Sequence, residues 1–118
     1  MTPEATILAA KLIDALNLDV PGGQLRGDRD GGILWLHSNE DDWNAGGAGD
    51  PVPQIDDPAT VGVLLNRLRK LTKDPHARAR WSNSGQCWEA LAGYHMVGGR
   101  GPTEGEAIAA AILATVPA

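Results

Sequence analysis

The side chains able to do chemistry in this chain are few and far apart. Cys87 is the single cysteine, and the three histidines are His37, His76 and His95. A thiolate with a histidine base would make a nucleophile. Cys87, however, falls between Gln86 and Trp88 in a strand-like run, and no third group is in place to orient a base. A buried structural cysteine is the expected reading. His37 with Glu40, Asp41 and Asp42 invites a divalent metal, but one histidine with acids crowded into a short loop lacks the ligand geometry of a recognised site. Asp28-Arg29-Asp30-Gly31 starts like a calcium loop and fails quickly. The sharp-turn glycine would have to stand where Ile33 is, and no bidentate acid follows at the right distance. An Asx-type turn accounts for it. Asp56 and Asp57 are adjacent, so they point differently, and Asp57 is explained as a helix cap. Gly46, Gly47 and Gly49 lack the preceding strand, the following helix and the Gly-Lys-Ser/Thr ending of a phosphate loop. No catalytic residue, metal ligand or cofactor is assigned, and the chain reads as non-enzymatic.

The elements that would position these residues are clearer. Thr2-Pro3-Glu4 supplies a capping hydroxyl, a proline at the first helical position and an acid at the positive end of the helix dipole. Leu8, Leu12 and Leu16, flanked by Ala9 and Ile13, form one apolar stripe, so a helix is predicted over 3–17 and should end at Asn17 or Asp19. Ile33-Leu34-Trp35-Leu36 is either a strand or an apolar plug against that helix. Asp57-Pro58 repeats the cap-then-proline start. Val61, Leu64, Leu65, Leu68 and Leu71 give the next helix its apolar face, and Asp74-Pro75 stops it. Gly62 inside this helix costs about 1 kcal/mol against alanine, which a close helix contact would explain. Residues 77–82 alternate as a half-buried strand, Asn83-Ser84-Gly85 is a turn, and 87–92 and 94–97 continue the sheet with a break at Gly93. Thr103-Glu104-Gly105-Glu106 is a capping box opening an alanine-rich helix to about Thr115. So many alanines suit a helix lying close on a sheet.

The chain has 118 residues, enough for one domain over 1–118. The expected class is α+β: a two-layer sandwich of about three helices and a small antiparallel sheet of three to four strands. Four tryptophans, one tyrosine and no phenylalanine leave the core to Leu, Ile, Val and Ala. A lone cysteine, no basic region ahead of an apolar run, and no membrane-length apolar run point to the cytoplasm. No membrane partner is expected.

Charge is distributed unevenly. Residues 1–59 hold three bases against eleven acids, whereas 60–118 hold seven bases against four acids. Between Arg29 and Arg67 there is neither Lys nor Arg. The stretch 38–56 reads as an irregular acidic loop. Glu40, Asp41, Asp42, Trp43 and Asp50 in it are the candidate protein-binding residues, because a polyanionic segment steers toward basic surfaces and tryptophan is favoured at interface hot spots. The basic face of the second helix would suit nucleic acid, but the acidic balance of the whole chain argues against direct nucleic-acid binding.

A helix, a Trp-containing loop, Asp57-Pro58-Ala59-Thr60 leading a second helix, a Trp-containing sheet, and Gly101-Pro102-Thr103-Glu104-Gly105-Glu106-Ala107 leading an alanine-rich last helix together resemble the phage ABA-sandwich proteins. The resemblance covers 55–118 best and the first helix loosely, while the acidic stretch is longer than the family leads one to expect. It implies a phage-encoded accessory protein acting in the host-cell cytoplasm and supplies no catalytic residues. The expected function is binding of a host protein, most concretely a nucleic-acid-binding defence complex inhibited in the anti-CRISPR manner. A phage structural or assembly component, or a small metal-dependent or nucleic-acid-processing enzyme, are the alternative expectations.

Overall fold

A computed structural model describes residues 2–18, 29–30, 32–37, 51–93 and 96–116. The elements run α1 (Pro3–Ala15), β1 (Arg29–Asp30), β2 (Ile33–His37), β3 (Pro51–Pro53), α2 (Pro58–Thr72), β4 (Arg78–Ser82), β5 (Cys87–Ala92), β6 (Met96–Gly101) and α3 (Glu104–Thr115). The α+β class stands. The strands form two small antiparallel sheets, β1-β2-β3 and β4-β5-β6, rather than one sheet of three to four strands.

The three helices among the described residues begin as their sequences dictate. The hydroxyl of Thr2 accepts from Ala5 N–H at 3.1 Å, Asp57 Oδ2 accepts from Thr60 N–H at 3.0 Å, and the hydroxyl of Thr103 accepts from Glu106 N–H at 3.2 Å. Each cap satisfies one of the amide donors that a helix start leaves without a partner. Asn17, with φ +52°, ends α1 in the left-handed region. The buried line of α1 is Ala5, Ala9 and Leu12, with Leu8, Ile13 and Leu16 at its margin. Leu64 and Leu68 are fully buried on α2, but Leu71 at the end of the same stripe is 40% exposed. Gly62 meets nothing within 4 Å, so no close helix contact accounts for it.

The acidic stretch expected as irregular over 38–56 contains a strand at its end. Pro51–Pro53 pairs with β2 in the register Trp35↔Pro53, Leu36↔Val52 and His37↔Pro51. Two prolines disguise this strand, because proline cannot donate to a ladder and is confined to sheet edges; β3 is such an edge. Val52 and Ile55 are buried in the main core. The hydroxyl of Thr60 ties this sheet to α2, accepting from Leu34 N–H at 2.9 Å and donating to Asp57 Oδ2 at 3.0 Å.

In the second sheet β5 is central, with Arg78↔Leu91 through Ser82↔Cys87 on one side and Trp88↔Gly101 through Ala92↔Met96 on the other. The run Gly98-Gly99-Arg100-Gly101 is strand rather than linker. A Cβ at Gly99 would overlap the backbone of Ala107 and Ala111, so glycine there lets α3 lie directly on the strand. The same economy of volume explains the alanines of α3, of which Ala107, Ala109 and Ala111 are buried. A Cβ at Gly105, in the first turn of α3, would overlap the Ile55 carbonyl. The β4–β5 turn places its positive φ on Gln86 (+53°) and not on Asn83 or Gly85.

Candidate functional site

β4 and β5 bring Trp81 and Trp88 directly opposite each other. Cross-strand pairs on one face sit close enough for large rings to touch. Here the ring centroids are 6.0 Å apart at 73°, an edge-to-face pair. Trp88 is half-buried against the core, whereas Trp81 is 45% exposed. The indole N–H of Trp81 donates to Asn83 Oδ1 at 3.1 Å. An exposed aromatic ring is thus held from two sides: ring against ring, and amide oxygen at its polar edge. Sequence alone leaves open which tryptophan is core, since both sit on the same face and only the third dimension separates them.

The opposite face of this sheet carries charge. Glu89 on the central strand is 7% exposed and lies between Arg80 and Arg100 of the flanking strands. Arg100 Nε donates to Glu89 Oε2 at 3.0 Å, and Arg80 approaches Glu89 Oε1 at 3.6 Å. The guanidiniums stay more than half exposed while the carboxylate does not. One anion between two half-solvated cations leaves this row with excess positive charge. The sequence signal for it, opposite charges at matched strand positions, depends on a register that only the paired strands reveal.

The candidate binding residues Glu40, Asp41, Asp42, Trp43 and Asp50 lie outside the described residues, as does His95. His76 and Cys87 do not meet. Cys87 pairs with Ser82 at one end of β4, and His76 lies in the turn before the other end, beyond a strand about 13 Å long at the usual rise per residue. Cys87 is only half-buried. Among the described residues no group of His, Cys, Asp or Glu is placed to hold a metal ion. Asp57 acts as the cap its position predicts. In the β1-β2-β3 sheet, Trp35 is 1% exposed with its indole N–H buried and unpaired, packed by Ile13, Leu18 and Val63.

No family model, no curated protein and no solved structure matches this chain. No helix among the described residues is long and apolar enough to cross a membrane.

Proposed function

We propose that this chain is a small non-enzymatic accessory protein of the phage ABA-sandwich kind that binds a host protein in the cytoplasm. Its most concrete form is an inhibitor of a bacterial defence system, of the anti-CRISPR type. The observation that carries the protein-binding reading is Trp81, 45% exposed yet fixed by Trp88 and Asn83. A solvent-exposed tryptophan with its ring already oriented loses little side-chain freedom on contact, and tryptophan is among the residues that dominate interface energies.

A second element is the acidic stretch, where Glu40, Asp41, Asp42 and Asp50 flank Trp43 in sequence, without a base between Arg29 and Arg67. Defence complexes that handle nucleic acid present basic channels. An acidic segment competes for such a channel by charge, and an aromatic anchor adds a contact that salt does not screen. The two tryptophans, Trp43 and Trp81, are the proposed anchors.

Affinity capture from lysate of the bacterial host, with mass-spectrometric identification, tests this reading. Recovery of one defence complex by the parent protein, and its loss with Trp81→Ala, is the expected result. Recovery of virion proteins alone would favour the structural or assembly role instead. An unchanged yield with Trp81→Ala would remove Trp81 from the interface.

A further inference from the structure

Six of the seven bases of the second half of the chain lie on α2 or on the sheet of β4, β5 and β6, and the seventh, Lys73, is the C-cap of α2. Three of them, Arg69, Lys70 and Lys73, line a cleft of about 550 Å³ with Asn66 and Pro75. The lining has no carboxylate among the described residues. The nearest acid in sequence, Asp74, turns both oxygens to backbone donors, accepting from His76 N–H at 2.9 Å and from Gly93 N–H at 3.1 Å. Glu89 is taken up by Arg80 and Arg100, and Glu106 is buried beneath two hydroxyls.

The cations of the cleft are placed, not merely present. Arg69 Nε donates to the Ala77 carbonyl at 3.0 Å, which fixes the guanidinium and leaves the other N–H donors of its fork uncommitted by that bond. Lys73 caps α2 in the left-handed region, φ 56° and ψ 28°, with its amide bonded to the Arg69 carbonyl. Glycine is the residue that meets this conformation without strain. Cations near a helix C-terminus complement the dipole, but that accounts for charge in the last turn and not for a lysine at the strained cap itself.

We infer that this cleft binds the phosphate groups of a nucleotide or a single nucleic-acid strand. Arg69 supplies a planar fork that matches phosphate oxygens, and Lys70 in the last turn of α2 and Lys73 at its cap supply point charges along the same cleft. The acidic balance of the whole chain argues against nucleic acid only if the bases are dispersed, and Arg69, Lys70 and Lys73 gather in one cleft whose lining holds no carboxylate among the described residues. The site is independent of the protein-binding reading, and its test does not involve a host protein.

The test uses the intact protein and a fluorescein-labelled single-stranded oligonucleotide, with anisotropy read across a salt series starting at about 50 mM. Three phosphate contacts predict that log affinity falls with log salt with a slope of about −2 for a single strand, and one remaining contact predicts about −0.7. The double variant Lys70→Ala with Lys73→Gly should show the shallower slope. Lys73→Gly should not lower the melting temperature, because glycine suits the cap better than lysine. Lys70→Gln with Lys73→Asn repeats the charge loss with a residue that tolerates the same backbone. Displacement of the strand by pyrophosphate would show that a nucleotide-sized group fills the cleft. A strand that pyrophosphate does not displace would show that the extended backbone is needed. No binding at the lowest salt, an unchanged slope in both double variants, or tighter binding of polyglutamate than of the strand would each overturn the inference.

Discussion

Two hydroxyls converge on Glu106 from the starts of different helices. Thr103 Oγ1 donates to Oε2 at 2.9 Å and Thr2 Oγ1 reaches Oε1 at 3.4 Å, while the residue is only 2% exposed. The Thr103–Glu106 spacing marks a capping box in the sequence, but the contact with Thr2, at the far end of the chain, does not show there. A buried carboxylate satisfied in this way ties both caps together, and its truncation takes the acceptor from the part-buried hydroxyls of Thr103 and Thr2. Glu106→Ala should therefore cost about 1–3 kcal/mol, with a smaller loss for Glu106→Gln, which keeps one acceptor. Thermal denaturation of the two variants against the parent measures this directly. Trp81 teaches the same lesson about exposure. Its strand and its partner Trp88 follow from alternation and the turn, whereas its 45% exposure shows only in the folded chain.

At the scale of elements, the three helices were legible because their signals are local: a capping side chain, a proline at the first turn, apolar residues at helical spacing. The sheets were legible in part. β3 escaped because Pro51 and Pro53 read as breakers, and an edge strand that pairs across a long connection carries no local signal. The glycines of β6 escaped for the opposite reason. Gly98, Gly99 and Gly101 look like linker until α3 is seen resting on them. Helix α2 offers a clean test of its buried line. Leu64→Ala and Leu68→Ala, both fully buried, should each cost about 2–5 kcal/mol, whereas Leu71→Ala at 40% exposure should cost about 0.5 kcal/mol or less. Equal melting temperatures for all three would show that the helix does not face the core as described. The glycines separate in the same way. Gly62→Ala fills open space in a helix and should stabilise by about 0.5–1 kcal/mol. Gly99→Ala must push α3 off the sheet and should be severely destabilising, as a loss of cooperative unfolding or of soluble yield would show.

For the whole molecule, charge is the organising feature. The first half carries −8 and the second +3, and Asp74, Glu89 and Glu106 of the second half are used inside the fold as turn acceptor, ladder and cap partner. That internal use was not legible in a charge count, because it depends on strand register and on contacts between distant caps. The acidic candidates Glu40, Asp41, Asp42, Trp43 and Asp50 rest on sequence alone, since they lie outside the described residues. Their proposed role makes a specific claim about ionic strength, because steering by exposed charge weakens beyond a Debye length of about 10 Å at 0.1 M salt. The central measurement is the dissociation constant for the captured host protein, taken at low and high salt with the parent and with Glu40, Asp41 and Asp42 replaced together by Ser. Weaker binding by the variant, loss of most of its salt dependence and an unchanged melting temperature are the predicted result. Equal affinity of parent and variant at low salt would contradict the account.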